Sequence, residues 1–167
     1  TLEAWAKGGG GGYKVSGGRH GVGVSAVNAL SEWMEVIIDD PRDGKKHFQR
    51  YEQGRPTGPV TVIGEAEAHG TTVHFRFDPT IFEDVDYRFD TLAQRFREMA
   101  FITRAVTIRL IDEREAPFPQ EMTFYFEGGI ESFVRYLNRN RDTYHPVIHA
   151  EREIDGIGVE VALQYTD

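Results

Sequence analysis

The chain has 167 residues, 40% of them hydrophobic, a formal net charge of −8 and no cysteine. This length suits one ordinary domain with a small appendage, and the apolar share excludes a disordered chain. The acidic balance argues against a module that grips nucleic acid with its whole surface. The lack of cysteine excludes disulfides, thiolate metal ligands and thiol catalysis, and it agrees with a reducing cytoplasm. No apolar run reaches the roughly 18 residues that span a membrane, and no signal peptide is visible.

The first thirty residues read as the end of one helix, a glycine-rich loop and the start of another helix. Apolar residues within positions 1–7 predict the first helix, and a chain that begins inside it predicts an excerpt of a longer protein. Residues 8–20 are rich in glycine and predict a loop. From Gly21 onward the apolar residues are dense enough to predict a buried helix that ends near Ser31.

Four strands are predicted next. "EWMEVIID" and "KHFQRYEQG" form a hairpin, because the turn "DPRDGK" between them has the residues that tight turns prefer. "PVTVIGEAEA" and "GTTVHFRFD" are the other two strands. Since no helical pattern interrupts residues 33–77, this part of the sheet should be antiparallel.

The second half of the chain alternates helices and hairpins. Asp90 is the predicted N-cap of a helix, and "GIESFVRYLNRNR" predicts a second amphipathic helix. "AVTIRLID" and "MTFYFEG" predict strands between these helices. Two last strands, residues 147–153 and 157–165, are joined by Asp155-Gly156, which is a strong hairpin signal. A change of composition at 140–146 predicts a domain boundary.

The glycine loop admits three interpretations from its residues alone. It is a mobile loop without a ligand, a dinucleotide site, or a nucleotide site whose phosphates lie at the start of the following helix. The dinucleotide interpretation rests on "GVGVSA" (residues 21–26), which satisfies G-x-G-x-x-A, and on Asp39 and Asp40 as candidate ribose ligands. Against it, "VSGGRH" is not a buried strand, and a hairpin follows Asp40 where a crossover helix is required.

The phosphate interpretation rests on backbone groups. Amides of Gly21 and Gly23 would be free at the helix terminus, where the helix dipole favours an anion. Lys7 and Lys14 flank the loop and would add positive charge. No G-x-x-x-x-G-K-[ST] is present, which excludes a P-loop.

"YKVSGGRHGVGVSAVNALS" resembles the ATP-lid motif of the ATPase subunits of type IIA topoisomerases, namely the B subunit of DNA gyrase and its relative in topoisomerase IV. "GTTVHFRFDPTIF", "YFEGGIESFVRYLNRNR" and "DGIGVEVALQY" resemble further stretches of this family in the same order. The resemblance therefore covers nearly the whole chain. It implies the Bergerat, or GHKL, fold: a two-layer α/β (α+β) sandwich with helices on one face of a mostly antiparallel mixed sheet, here truncated.

The resemblance implies an ATP site and names its residues. The expected contacts of the lid with ATP, counting the flanking lysine and an adenine-contacting tyrosine, are Lys7, Tyr13, Gly17, Gly18, Arg19, His20, Gly21, Val22 and Gly23. Thr71 would hydrogen-bond near the adenine and Val73 would line its pocket. Arg42 and Thr71 match positions of the coumarin inhibitor site. Arg19 stands where the family usually has leucine, and "EAWAKGGG" around Lys7 departs from the family's wording.

The resemblance also implies what this sequence lacks. The general-base glutamate, the asparagine that holds Mg²⁺ and the aspartate that reads the adenine all precede the lid in the family. No catalytic residue is therefore expected in these 167 residues, and the chain alone should not hydrolyse ATP. No metal site is predicted either, because a proline lies between His145 and His149, and His69 and His74 lack partners at ligand spacing.

The expected organisation is the second half of the ATP-binding domain at residues 1–142, with the lid at about 1–23, and the first hairpin of the transducer domain at 143–167. The expected partners are ATP with Mg²⁺, a second copy of the same polypeptide, the gyrase A protein in an A2B2 assembly, and duplex DNA, with no membrane. The expected location is the bacterial cytoplasm, at the nucleoid. Two alternatives stay open, the topoisomerase IV counterpart and a GHKL module that binds nucleotide without hydrolysis.

Overall fold

The fold is described from a computed structural model of the chain, which covers residues 22–84, 86–114 and 120–167. Contacts divide the chain into two compact units, the first ending at Asp86 and the second beginning at Tyr87. The predicted domain boundary near residue 143 falls inside the second unit and stays a prediction. No helix of the described residues is long and apolar enough to cross a membrane.

The first unit is one short helix and an antiparallel sheet. Its elements are α1 (Gly23–Ala29), β1 (Ser31–Asp40), β2 (Lys45–Glu52), β3 (Arg55–Pro56), β4 (Thr61–Glu65) and β5 (Gly70–Phe77). The strands are ordered β3-β2-β1-β5, and β4 also pairs with β2. Every pairing in this sheet is antiparallel, which confirms the prediction made from the absence of an intervening helix.

The central strand β1 fixes the register of its neighbours. Val36 lies between Gln49 of β2 and Val73 of β5. Met34 and Val36, two residues apart and so on one face, are buried. The opposite face is charged: Arg50 Nη1 donates to Glu35 at 2.5 Å. One face of β1 thus carries the buried Met34 and Val36, and the other carries the pair of Glu35 and Arg50.

Helix α1 confirms the predicted helix in position but not in burial. None of its residues is buried, and Val24 is 55% exposed. The apolar spacing marks a face able to pack, but burial needs a partner that the described residues do not supply. At its end Ser31 Oγ donates to the Val27 carbonyl at 2.6 Å, which ties α1 to β1.

The second unit contains two helices and two hairpins. Its elements are α2 (Phe89–Ile102), β6 (Ile108–Asp112), β7 (Gln120–Phe124), α3 (Gly129–Leu137), β8 (Ile148–Ile154) and β9 (Ile157–Leu163). β6 pairs with β7 and β8 with β9, both antiparallel. Asp155 and Gly156 have φ of 53° and 77°, as expected for the tight turn that Asp-Gly predicts between β8 and β9.

The core of this unit is aromatic. Ala93 and Ala100 of α2 pack with Phe124 of β7. Phe101, 2% exposed, stacks on Phe126 with ring centroids 3.6 Å apart, and on Phe133 of α3 at 5.1 Å. One buried ring therefore joins α2, α3 and the segment after β7.

Two predicted helix ends are wrong. Arg88 is the N-cap of α2, and Asp90 lies in the first turn. There its carboxylate interacts favourably with the positive end of the helix dipole but does not cap the helix. Helix α3 ends at Leu137, although its sequence pattern continues to Arg141. After Leu137 the side chain of Asn138 donates to Gln164 Oε1 at 3.0 Å, outside the helix, so the pattern overestimates the length of α3.

The predicted fold class, α/β with antiparallel strands and helices, is confirmed. The described strands form three separate sheets, one of five strands and two of two strands, and not a single mixed sheet. Strand pairing between segments distant in sequence has no local signal, so the division into sheets was not predictable from the pattern.

We predict that Phe101→Ala lowers the free energy of unfolding of this unit by about 3–5 kcal/mol, because it removes a buried ring from a stack of aromatic residues. Urea unfolding followed by far-UV circular dichroism measures the loss. Met99→Ala, at a 53% exposed position of the same helix, is the control and should change stability by less than about 1 kcal/mol. Equal losses in the two variants would contradict the assignment of Phe101 to the core.

Candidate nucleotide-binding site

Most of the predicted lid lies outside the described residues. This applies to Lys7, Tyr13, Gly17, Gly18, Arg19, His20 and Gly21. The structure places the last two residues of the predicted lid, Val22 and Gly23, at the N-terminus of α1. Val22 is the N-cap, no side chain caps this end, and the first turn carries no acidic residue. The predicted lid thus ends at the start of a helix whose first turn carries no carboxylate.

Thr71 and Val73 lie on β5 and, two residues apart, share one face of it. Across the ladder, Thr71 pairs with Ile38 and Val73 with Val36 of β1. Val73 is 41% exposed although it is apolar. An apolar strip of strand residues with a hydroxyl at one end has the chemistry that a purine ring requires, a flat hydrophobic surface and a polar group that fixes its orientation.

Arg42 lies in the turn between β1 and β2 and is bound by Asp40. Its Nε donates to Asp40 Oδ1 at 2.9 Å, and its Nη2 donates to Oδ2 at 2.6 Å. The backbone N–H of Arg42 donates to the same Oδ1 at 2.9 Å. These bonds to the side chain and backbone of Arg42 lower the pKa of Asp40 from its ordinary 3.8 to about 2. A bidentate pair restricts where the guanidinium points, even though the Arg42 side chain is 57% exposed.

The structure brings two of the predicted residues to one end of the sheet. Thr71 pairs with Ile38, and β1 ends two residues after Ile38, immediately before the turn that holds Arg42. Both residues therefore lie near the C-terminal end of β1. Val22 and Gly23 are separated from the start of β1 by the length of α1.

The dinucleotide interpretation is wrong. β1 is followed by the antiparallel strand β2, so the parallel βαβ unit that holds a dinucleotide is absent from this part of the described chain. Asp39 and Asp40 have other roles: Asp39 Oδ1 lies 3.6 Å from Lys46 Nζ, and Asp40 binds Arg42.

Sequence reasoning missed two groups of residues. Asp40 as the anchor of Arg42 could have been found, since an aspartate two residues before an arginine at a turn accepts bonds from its backbone and side chain. A second cluster, His149, Glu151 and Glu160, has potential ligand atoms within 4.8 Å of one another. The Asp155-Gly156 turn fixes the pairing of Glu151 with Glu160, so the position of this turn in the sequence could have predicted that these carboxylates lie side by side.

Comparisons with known proteins agree on one family. The chain is 49% identical over 169 residues to the B subunit of DNA gyrase from Halalkalibacterium halodurans, covering 100% of the chain and 26% of that relative. It is 47% identical over 168 residues to the B subunit of DNA topoisomerase 4 from Bacillus subtilis, covering 100% of the chain and 25% of that relative. The chain thus spans about a quarter of the length of these curated relatives. No protein-family model matches it.

A solved structure is similar in fold. The 43K ATPase domain of Thermus thermophilus gyrase B, in complex with an aminocoumarin, superposes with a TM-score of 0.74 at 32% identity. The match covers 88% of this chain and 40% of that domain. The antiparallel sheets and helices described above therefore belong to the fold of that ATPase domain.

The pair of Asp40 and Arg42 predicts a pH dependence. Because the folded pKa of Asp40, about 2, lies below the ordinary 3.8, its ionised form stabilises the fold above pH 3.8, and this contribution is lost as the pH falls toward 2. Asp40→Asn should therefore lower the free energy of unfolding at pH 5. The difference in this free energy between the variant and the wild type should shrink as the pH falls toward 2. Urea midpoints followed by tryptophan fluorescence, to which Trp33 of β1 contributes, measure it.

Glu65→Gln, at an exposed position of β4, is the control for loss of a carboxylate in the same unit. If the urea midpoints of Asp40→Asn and the wild type differed by the same amount from pH 5 to pH 2, the predicted pH dependence would be refuted.

Proposed function

The chain belongs to the family of the B subunits of DNA gyrase and topoisomerase IV, and we propose that it carries part of the ATP-binding domain of such a protein. The observation that supports this most strongly is identity of 47–49% over the whole of the chain to both kinds of relative. Similarity in fold to a gyrase B ATPase domain agrees with it.

In the proposed site, the adenine lies against β5 and the phosphates lie under the lid. Thr71 supplies a hydroxyl to the adenine side, and Val73 supplies apolar surface beside Val36 of β1. The lid residues Gly17 to Gly23, with Lys7 and Tyr13, enclose the phosphates and the base. Glycine suits such a lid because its backbone approaches phosphates closely.

The chemistry of hydrolysis needs groups beyond these. Phosphoryl transfer depends on positioning and on charge stabilisation, which Mg²⁺ and a general base supply in this family. We place the glutamate base and the Mg²⁺ ligand outside these 167 residues. The residues of this chain would contact and orient the nucleotide within the complete domain, and the chain alone should not hydrolyse ATP.

For the whole protein we propose an ATP-dependent type II DNA topoisomerase of the cytoplasm. ATP binding closes a dimer of this polypeptide, and hydrolysis resets it, so that one DNA duplex passes through another. Duplex DNA and the gyrase A protein would be bound by other domains, which agrees with the net charge of −8 of this chain. Negative supercoiling of relaxed plasmid by the complete assembly tests this proposal.

Two alternatives need their own experiments. Identities of 49% and 47% do not separate gyrase from topoisomerase IV, whereas an enzyme that decatenates linked circles without supercoiling them would be the latter. A module that only responds to nucleotide would bind ATP as the complete protein and show no turnover. That result, obtained with Mg²⁺ and DNA present, would refute the enzyme proposal.

Thr71 and Thr72 offer a matched pair for testing the site. They are adjacent on β5, so their side chains lie on opposite faces of the sheet. We predict that Thr71→Val in the complete protein weakens binding of a non-hydrolysable ATP analogue about tenfold, the cost of one lost hydrogen bond in a closed site. Thr72→Val should change the dissociation constant less than about twofold. Isothermal titration calorimetry measures both, and a larger effect at Thr72 would place the adenine on the other face.

A further inference from the structure

The hairpin of β8 and β9 carries two carboxylates side by side. Its register places Glu151 directly opposite Glu160, and His149 lies diagonally across from Glu160 on the same face. Like charges opposite each other on a ladder destabilise it unless a cation lies between them. This face of the hairpin therefore requires a positive partner.

Arg104 supplies that charge from the turn after α2. Its Nη1 donates to Glu151 Oε2 at 3.2 Å, and its Nη2 donates to Glu160 Oε1. His149 Nε2 lies 2.8 Å from the same oxygen of Glu160 and 3.4 Å from Arg104 Nη2. One guanidinium thus bridges both strands of the hairpin across 47 and 56 residues of sequence.

The backbone around Arg104 is shaped to deliver this side chain. Ala105, the next residue, has φ of 60°, a left-handed conformation that is uncommon for alanine. Gly129, the first residue of α3, has φ of 53°, and a Cβ there would lie 2.5 Å from Arg104 Nε. The arginine therefore passes over the start of α3, where glycine leaves space for it, before it reaches the hairpin.

The hairpin depends on such contacts because it is a sheet of two strands. A two-stranded hairpin is at best marginally stable by itself. Most side chains of β8 and β9 are exposed, Ile157 at 69% among them. At the open end of the hairpin Asn138 Nδ2 donates to Gln164 at 3.0 Å. Arg104 adds the contact at its middle, between Glu151 and Glu160.

We propose that Arg104 is a positioning residue that clasps the β8–β9 hairpin to the ends of α2 and α3. The clasp crosses the boundary predicted near residue 143, so it joins the helices of the ATP-binding domain to the first hairpin of the domain that follows. If the proposed function holds, Arg104 also has a role in the reaction cycle: when nucleotide binding moves the helices, the hairpin moves with them.

A divalent cation is the rival occupant of the same cluster. His149, Glu151 and Glu160 offer one imidazole and two carboxylate ligand atoms within 4.8 Å of one another, donors that transition metals accept. The guanidinium of Arg104 already binds two of these three residues, so an ion would have to displace it. The clasp and the metal site therefore exclude each other and make opposite predictions.

Hydrogen–deuterium exchange in the complete protein tests the clasp. Arg104→Gln should speed exchange of the hairpin amides, residues 148–163, about fivefold and leave α2 unchanged. Arg109→Gln, which breaks the 2.5 Å pair with Glu121 inside the β6–β7 hairpin, is the matched control and should not affect residues 148–163. In a double-mutant cycle, adding Glu160→Gln to Arg104→Gln should not speed exchange further, because it removes one of the two like charges that Arg104 no longer separates.

Arg104→Lys should restore part of the protection, since a single ammonium reaches one carboxylate in place of two. Additive effects of Arg104→Gln and Glu160→Gln, or equal effects of the Arg104 and Arg109 variants, would overturn the clasp. Protection of the wild-type hairpin by equimolar Zn²⁺ would overturn it in favour of a metal site.

A second measurement tests the functional consequence. With DNA and the DNA-cleaving partner protein present, Arg104→Gln should keep ATP turnover within about twofold of the wild type and reduce strand passage by about fivefold or more. If ATP turnover and strand passage fell by the same factor, Arg104 would have no role in coupling the two. If the wild type itself fails to hydrolyse ATP, the proposed function is wrong, and the exchange experiment still decides whether the clasp exists.

Discussion

The central position of β1, with β2 on one edge and β5 on the other, is the constraint on which the first unit depends. Its ladder sets Thr71 opposite Ile38 and Val73 opposite Val36, and the turn after it holds Arg42. A shift of one residue in the β1–β5 register would turn Thr71 and Val73 to the other face, which carries the pair of Glu35 and Arg50. The proposed adenine surface therefore depends on a pairing between strands that are far apart in the sequence.

Charge has a different role in each unit. In the first unit, Asp40 binds Arg42 within one turn, so the pair is local and organises a loop at the edge of the proposed site. In the second unit, Arg104 reaches carboxylates 47 and 56 residues away and connects a helix end to a hairpin. The local pair fixes one side chain, whereas the distant one fixes the position of a whole element relative to its own unit.

Local chemistry was well predicted. Alternation, turn residues and helical spacing predicted the strands around the turn before Lys45, the Asp155-Gly156 hairpin and a helix that follows Asp90. These signals involve residues close in sequence, so no distant contact was needed to find them. Helix ends were less certain, as Asp90 shows, because an acidic residue suits the first turn as well as the N-cap.

The sequence by itself determined the family, through motifs collinear over nearly the whole chain, and with it the expected nucleotide and the expected lid residues. Only the tertiary structure decided that α1 has no buried residue, that Arg42 is bound by Asp40, and that Arg104 meets Glu151 and Glu160. The physical reason is that burial and ion pairing depend on which distant segments meet. A local pattern records which face is apolar or charged but not what lies against it.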